Sequence, residues 1–298
     1  MSIEKVTNDD LPALFQAADK VSNVAQSQFA WLTATQLGLC VIVAILGSFA
    51  LSSAPHKIGL AIASSVILIL AIVTTILILV SNLDKDWYEG RAIAESVRSK
   101  AWCYMTGSEP YRIDTKVPAE DLFISFLSSL LKSRERFASR LGGRVAIEQQ
   151  ITDKMRRIRN LLLEDRKTVY LTERIDNQRR WYSNKAEGSS KSAKKLFGAM
   201  IVCQVFALIS AIVIVRWPES PVNPTGAFIN LAIAFLAWLQ MKKHQQLAQS
   251  YGSAAQELNF IYAQSSQVRT EEELSTYVTD SENAIASEHK VWLARRSQ

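Results

Sequence analysis

Charged residues are distributed so unevenly that they divide the chain into two long apolar regions and three polar ones. From Val21 to Asn82 the only formal charge is Lys57. The two apolar blocks on either side of this lysine each exceed the roughly 18 uncharged residues that distinguish a membrane span from a core helix. Because backbone groups in lipid must hydrogen-bond internally, both blocks must be helical. We therefore predict a transmembrane hairpin with spans at about residues 31–53 and 58–82.

A second apolar pair, at about residues 198–215 and 226–241, predicts a second transmembrane hairpin. Its connector, residues 216–224, holds three of the chain's seven prolines and is not expected to be helical. Buried helices of a soluble core are the alternative interpretation. Membrane spans are favoured by the lysines and tryptophans near the ends of the two blocks, which are Lys191, Lys194, Lys195, Lys242, Lys243, Trp217 and Trp238.

The distribution of lysine and arginine predicts the orientation, since basic flanks remain in the cytoplasm. Lysine clusters flank the second hairpin at both chain ends, and only Arg216 lies in its connector. The first hairpin has Lys57 in its connector, against Lys20, Lys85 and Arg91 outside it. Both hairpins thus predict a cytoplasmic N-terminus, middle region and C-terminus, with two short connectors on the other side.

The polar segments show helical periodicity, so the predicted fold is all-α: an integral membrane protein with two hairpins, four spans and long cytosolic helices. The division expected is 1–118 with the first hairpin, 119–170 as cytosolic amphipathic helices, and 171–298 with the second hairpin and C-terminal cytosolic helices. A long polar helix is predicted from Val145 and continues, with a possible break, through Ile175 and Trp181. Its apolar side is formed by Ile147, Ile151, Ile158, Leu161, Leu162 and Val169.

The middle of the chain is strongly basic. Between Lys132 and Lys195 there are 18 lysines and arginines against eight acidic residues, a local net charge of +10 in a chain of net +6. Arginine suits two-point phosphate binding, so two clusters are candidates for a phosphate-bearing ligand. They are Arg156, Arg157 and Arg159, and Arg179 and Arg180. The alternatives are topology, attraction to anionic lipids and pairing with the acidic tail. Nucleic-acid binding is not expected, because no base-reading module is visible.

Motifs for catalysis or for metal and cofactor binding are absent from the sequence. It has no glycine-rich phosphate loop, no paired-cysteine motif and no H-E-x-x-H. The three cysteines and three histidines show no ligand spacing. Glu288-His289 suggests acid–base chemistry, but a structural pair on a terminal helix is the simpler interpretation. We therefore predict no enzyme activity, no cofactor and no metal site.

Three amides, Gln204, Asn230 and Gln240, lie in the second hairpin, and they are the pore-lining candidates. The alternative is that each amide hydrogen-bonds a neighbouring helix. The hydroxyls of the Ser64-Ser65 and Thr74-Thr75 pairs are expected to bond the carbonyl one turn back. The spans lack the charge series of transporters and voltage sensors, so coupled transport is not expected.

Each hairpin is flanked by a distinctive set of residues. The second half carries Glu173-Arg174-Ile175-Asp176-Asn177-Gln178, then Trp181-Tyr182, and after the hairpin Glu288-His289-x-x-Trp292-x-Ala294-Arg295-Arg296. The first half carries, after its hairpin, Arg91, Ala94-Glu95-Ser96, Trp102, Tyr104 and Pro110-Tyr111. The second set resembles bacterial SLATT domains, two-transmembrane effector domains associated with nucleotide-synthesising SMODS and nucleotide-sensing SLOG proteins, and the first set resembles a companion SLATT type. The tryptophans and Glu95 are most simply packing and interfacial anchors; ligand contact is the alternative.

The resemblance implies a pore-forming or membrane-perturbing effector of a bacterial defence system, located in the inner membrane. The expected partners are the lipid bilayer, further copies of the chain in a homo-oligomer, and a nucleotide second messenger or separate sensor protein as the trigger. Since an effector of this kind would act as a pore or ion channel, the resemblance implies no catalytic residues in this chain. The alternative function is a non-conducting membrane scaffold or sensor whose cytosolic helices dock partners; a membrane enzyme ranks third.

Overall fold

The computed structural model describes residues 5–49, 54–114, 117–143 and 147–296, except for the side chains of 54–56 and 287–296. Its regular structure within these ranges is helical, which confirms the all-α prediction. A π-helix, Leu171–Asp176, precedes the longest helix, and 3-10 turns lie at Asn8–Asp10 and Ser265–Gln267. The α-helices are α1 (Ala13–Ser48), α2 (Ala54–Ser81), α3 (Leu83–Thr106), α4 (Ala119–Lys132), α5 (Glu135–Ala138), α6 (Asp153–Arg159), α7 (Leu163–Tyr170), α8 (Asn177–Arg216), α9 (Thr225–Lys242), α10 (His244–Gln264) and α11 (Glu271–Arg296).

Four helical stretches of the described chain are long and apolar enough to cross a membrane, and they include α1, α2, α8 and α9. This confirms the four predicted spans and a multi-pass membrane protein. The first span is shorter than predicted, since α1 ends at Ser48. Most of the connector that follows it, residues 50–53, lies outside the described residues.

The chain forms two compact units. The membrane unit comprises Ser27–Leu83 and Glu187–Ala248. The polar unit comprises Met1–Gln26, Asp84–Ala186 and Gln249–Gln298. Each unit combines segments from both halves of the sequence, so the duplication seen along the chain does not correspond to two separately folded bodies.

Within the membrane unit, the helices display apolar side chains outward, as a lipid-embedded protein requires. Leu79 is 73% exposed in the chain alone. The hydroxyl of Thr74 donates to the carbonyl of Leu70 at 2.8 Å and that of Thr75 to Ala71 at 3.0 Å, as expected. The two hairpins meet at their connector end, where the backbone N–H of Asn223 donates to the carbonyl of Ser48 at 2.9 Å.

The polar unit is built on the close approach of α1 to α3. A Cβ at Gly90 would lie 3.0 Å from the carbonyl oxygen of Ala18 and from Cβ of Ser22, so glycine permits the contact. The hydroxyl of Ser22 donates to the carbonyl of Trp87 at 2.9 Å across the same junction. The core around this junction draws on nearly every element of the unit, with Phe15, Val97, Met105, Phe123, Phe137, Met155, Tyr170, Ile175, Leu258 and Val278 among its buried members.

The stretch predicted as one long helix from Val145, with a possible break, is interrupted both before Asp153 and between Arg159 and Leu163. Residue 145 is outside the described residues, and the following chain forms two short helices, α6 and α7. Thr152 begins α6 as an N-cap, its hydroxyl accepting from the N–H of Met155 at 3.2 Å, because a Thr oxygen satisfies a free N–H there. Ile147 is 86% exposed and Leu162, the N-cap of α7, is 78% exposed, so these two do not share a face with the buried Ile151, Ile158 and Val169 as predicted.

Candidate functional site

A buried arginine and a buried glutamate form a two-point ion pair in the polar unit. Nε and Nη2 of Arg174 donate to the two carboxylate oxygens of Glu282 at 2.9 and 2.8 Å. The hydroxyl of Tyr170 donates to Oε1 of Glu282 at 3.1 Å. Arg174 and Glu282 are each 2% exposed, so neither charge has bulk water to replace its partner.

The charges of this network are fixed by its own members. Burial disfavours the charged form of Arg174, but the adjacent Glu282 carboxylate outweighs burial and keeps the pKa of Arg174 above its ordinary value. Burial, reinforced by the Glu282 charge, raises the pKa of Tyr170 well above its usual value, so the phenol keeps its proton and remains a donor.

The π-helix positions Arg174 in this network. A π-turn closes i→i+5 hydrogen bonds and so widens the helix by about one residue per turn. The wider segment lets Arg174 and Ile175 both face the interior, directly after the buried Tyr170 at the end of α7. Such segments are rare in α-helical chains and occur frequently at functional sites.

A cavity of about 390 Å³ lies beside the ion pair, inside the polar unit. Its wall is formed by α3, the start of α8, α10 and α11, together with Arg134 between α4 and α5. Four basic and two acidic side chains line it, a net charge of +2: Arg91, Lys100, Arg134, Arg174, Glu95 and Glu282. Arg91 contacts Glu95 at 2.9 Å and Asp19 at 3.3 Å, which leaves the acidic charge near the cavity largely paired.

Aromatic side chains form one side of the cavity. Trp181 meets Tyr182 edge-on at a centroid distance of 5.0 Å and Tyr251 at 5.5 Å. Trp181 itself is 37% exposed, and Nζ of Lys185 lies 5.6 Å from its ring centroid. An exposed indole held in place by two tyrosines provides a flat apolar surface at the edge of a basic cavity.

Two polar groups on the cavity wall lack partners within the described chain. Nη1 of Arg174 and Oγ1 of Thr279 are buried and have no hydrogen-bond partner there. Both residues line the cavity. Because buried polar groups in native proteins are nearly always satisfied, two unpartnered groups that line the same cavity make it the candidate site.

Comparison with known families divides the chain into two consecutive domains. Residues 12–167 match the family model of SMODS and SLOG-associating 2TM effector domain 3, and residues 170–292 match that of SMODS and SLOG-associating 2TM effector domain 1. The chain is a tandem SLATT protein. This confirms the resemblance found in the sequence. Neither the curated proteins nor the solved structures yielded a match to it.

The cavity of this SLATT protein is shared between its two domains. Lys100 and Arg134 belong to the first matched domain, whereas Arg174, Trp181 and Glu282 belong to the second. Several residues that carried the sequence resemblance converge here, among them Arg91, Glu95, Arg174, Gln178, Trp181 and Tyr182. The side chains of Glu288, His289 and Trp292 lie outside the described residues.

The first predicted arginine cluster lies away from the cavity and has structural contacts. Nε of Arg156 is 2.9 Å from Oε1 of Glu120, and the Arg156 guanidinium, through its hydrogen bond, holds the pKa of that carboxyl below its usual range. Nη1 of Arg159 donates to the carbonyl of Tyr104 at 2.6 Å. Arg157 is exposed on α6. These contacts join α6 to α3 and α4.

The second cluster, on α8, borders an open groove of about 560 Å³ rather than the cavity. Arg179 contacts Asp176 at 2.6 Å and Oδ1 of Asn259 at 2.8 Å, and its guanidinium stacks over Tyr262. Arg180 contacts Asp176 at 2.7 Å. Phosphate binding by either cluster stays a prediction, and it would have to compete with these pairs.

The three predicted pore amides do not share one groove within a single chain. Gln204 lines a groove of about 430 Å³ between α8 and α9, whose other walls are mainly apolar. Asn230 and Gln240 do not line that groove. Asn230 follows the groove residue Ile229 and therefore lies about 100° further around α9. A pore lined by all three remains a prediction about an assembly.

Sequence reasoning missed the partners that complete the candidate site. Arg174 is among the residues that resemble the family, but Glu282, Lys100, Arg134 and Thr279 carry no local sequence signal. The one usable signal was that a family-like arginine needs an acidic partner somewhere else in the chain. Among the described residues, no group of histidine, cysteine or acidic side chains is arranged to hold a metal ion.

Proposed function

We propose that this tandem SLATT protein permeabilises the bacterial inner membrane when its polar unit receives a signal in the cytoplasm. The observation that carries the proposal is the combination of four membrane-crossing helices with a folded polar unit whose cavity is charged and incompletely satisfied. Membership in a family of membrane effector domains supports it.

Two features support a cytoplasmic polar unit. Lys191, Lys194 and Lys195 precede the apolar part of α8, and Lys242 and Lys243 follow α9, as the positive-inside rule requires. The hydrogen bond from Asn223 to Ser48 brings the second connector to the end of the first span, so both hairpins point the same way.

Permeabilisation requires several copies of the chain. Charged residues are absent from the described core of the spans, and one chain offers few amides there, Gln36 in α1 and Gln204, Asn230 and Gln240 in the second hairpin. A homo-oligomer brings these amides together around an axis, where water tolerates a polar face. Gln178, Trp181 and Gln204 all lie on α8, which is one continuous helix.

Liposome leakage tests the proposal. Purified full-length protein reconstituted into vesicles of synthetic phosphatidylethanolamine and phosphatidylglycerol is expected to release an entrapped small fluorescent dye. Matched vesicles with heat-denatured protein provide the control. Retention of dye by vesicles that contain inserted, assembled protein, with and without a mononucleotide panel, would contradict permeabilisation.

The second candidate function is a non-conducting scaffold or sensor. The observation that favours it is the groove at Gln204, which is otherwise lined by apolar side chains such as Leu208, Ile229 and Leu236. An apolar groove of this kind suits helix packing more than water. Dye retention together with ligand-dependent capture of a partner by the polar unit would support this alternative.

A further inference from the structure

We infer that the cavity of the polar unit is a binding site for a small organic phosphate that carries a flat aromatic ring, of about mononucleotide size. The inference deepens the proposed function, on which it rests only for the consequence of binding. Binding itself is a property of the polar unit and is measured separately from leakage.

The phosphate end of the site follows from the basic residues. Arg174 is 2% exposed and uses Nε and Nη2 on Glu282, whereas its buried Nη1 has no partner and can donate to a ligand. Neither Lys100 nor Arg134 forms an ion pair with any residue that the structure describes. Three donors on the wall of one cavity, in surplus over its acids, match the oxygens of a phosphate.

A fixed anion from the protein does not already meet this need. Glu282 is shared by Arg174 and Tyr170, and Glu95 is shared by Arg91 at 2.9 Å and Arg98 at 3.3 Å. Burial is the main cause that lowers the pKa of Arg98, ahead of its neighbouring charges, which include Arg174. An additional anion therefore relieves an excess of positive charge in a desolvated region.

The ring end of the site follows from Trp181. Its indole is partly exposed and is held edge-on by Tyr182 and Tyr251. Stacking on an aromatic side chain stabilises a bound base whatever its identity, because every base has a π-face. A volume of about 390 Å³ falls within the ~300–1,000 Å³ range of small-molecule sites.

The position of the site gives the ligand a physical effect. Lys100 and Arg134 come from the first SLATT domain, and Arg174 and Trp181 come from the second. A phosphate bound by all three basic residues cross-links the two domains inside the polar unit. Binding stabilises the arrangement that presents these donors together, by mass action.

The test uses the full chain in detergent and isothermal titration with AMP, GMP, CMP and UMP, each compared with its nucleoside. Glycerol 3-phosphate serves as a phosphate without a ring, as in a lipid headgroup. At least one mononucleotide is expected to bind at least about tenfold more tightly than its nucleoside and than glycerol 3-phosphate. A tenfold ratio corresponds to about 1.4 kcal/mol, which one charge-assisted hydrogen bond can supply. Failure of all four to exceed their nucleosides overturns the inference, as does equal binding of glycerol 3-phosphate.

Variants locate the binding. The double variant Lys100→Gln with Arg134→Gln is expected to lower the affinity for the mononucleotide at least about tenfold. Folding should be preserved, because neither residue is part of the buried pair. Trp181→Leu is expected to lower the affinity for the mononucleotide to that for glycerol 3-phosphate. Lys85→Gln, an exposed lysine that does not line the cavity, is the matched control. Unchanged binding in the double variant, with circular dichroism unchanged, overturns the site.

Discussion

Arg174 and Glu282 meet through two hydrogen bonds of 2.9 and 2.8 Å although 108 residues separate them in the chain. The pair connects the π-helix before α8 to α11, and the entire second hairpin lies between the two residues along the sequence. Its burial makes it costly to break, because either charge left alone would have no solvent and no partner. This pair can therefore form only when the chain that follows the second hairpin packs against the segment that precedes it.

Breaking this pair is expected to destabilise the polar unit strongly. Glu282→Gln leaves the Arg174 charge uncompensated, which costs about 3–5 kcal/mol of the free energy of unfolding. The double variant Arg174→Met with Glu282→Leu removes both charges and is expected to recover most of that loss. Thermal unfolding in detergent, followed by near-ultraviolet circular dichroism, measures both effects.

An exposed pair provides the control. Asp114 and Arg112 contact at 2.8 Å, but the side chain of Asp114 is 67% exposed. Asp114→Asn is therefore expected to leave the unfolding transition nearly unchanged, because solvent screens an exposed pair. Equal effects of Asp114→Asn and Glu282→Gln would show that burial does not set the value of the Arg174–Glu282 pair.

Cys103 is expected to resist thiol reagents in the folded protein. Burial, its largest influence, raises the pKa of the Cys103 thiol to about 12. At pH 8 the thiol therefore stays protonated, and the thiolate that reacts with maleimides is scarce. A membrane-permeant maleimide should label Cys103 only after denaturation, in a background where Cys40 and Cys203 are replaced by alanine. Mass spectrometry of the labelled peptide measures this, and rapid labelling of native protein would contradict it.

The sign of the pH effect at Cys103 follows from the same shift. Since the pKa is higher in the folded state, the unfolded state loses its proton first as the pH rises above about 8.5. The contribution of the Cys103 thiol to the free energy of unfolding is therefore fully present at neutral pH and is lost as the pH rises toward 12. Labelling of native Cys103 should consequently increase at alkaline pH.

The orientation predicts which inserted cysteines react from outside the cell. In a chain whose native cysteines are replaced by alanine, Ser53→Cys and Ser220→Cys lie in the two connectors and are expected to react with a membrane-impermeant thiol reagent on intact cells. Ser189→Cys, on the side of the lysine cluster, is expected to react only after lysis. Labelling of Ser189→Cys on intact cells would reverse the topology.

The span amides separate conduction from helix packing. Asn230→Leu and Gln204→Leu are expected to reduce dye leakage at least about tenfold while insertion and assembly persist, since each change removes a polar group from the water path. Thr74→Val is the control, because its hydroxyl is already bonded to the carbonyl of Leu70. If Asn230→Leu instead dissociates the oligomer in detergent, the amide holds helices together and does not line a pore.

The membrane spans were predictable from the sequence because hydrophobicity is a local property, and a block of apolar residues needs no partner to be recognised. The end of α3 was also predictable, because glycine readily adopts the positive φ that ends a helix. Gly107 has φ +72°, and a Cβ there would lie 2.8 Å from Nη1 of Arg166. The polar unit was not predictable in the same way. Its packing depends on long-range contacts, and the break at Thr152 divides an apolar period that otherwise reads as one helix.

The same limit explains the candidate site. Density of positive charge drew attention to Arg156, Arg159 and Arg179, yet each has a partner supplied by a distant segment, such as Glu120 for Arg156. Arg174 is isolated in the sequence, and only the fold gives it both Glu282 and the cavity. Local charge shows how many basic groups a segment has, and tertiary structure decides which of them remain available to a ligand.

The bond from Asn223 to Ser48 joins two dissimilar hairpins that belong to one polypeptide. Fusion fixes their stoichiometry at one to one. In a closed ring of identical chains, rotation about the axis superposes each hairpin only on its own kind. An assembly of n chains therefore has n-fold symmetry but two inequivalent sets of hairpins. Such a complex contains an even number of hairpins whatever its size, and a ring with an odd number of them is excluded by construction.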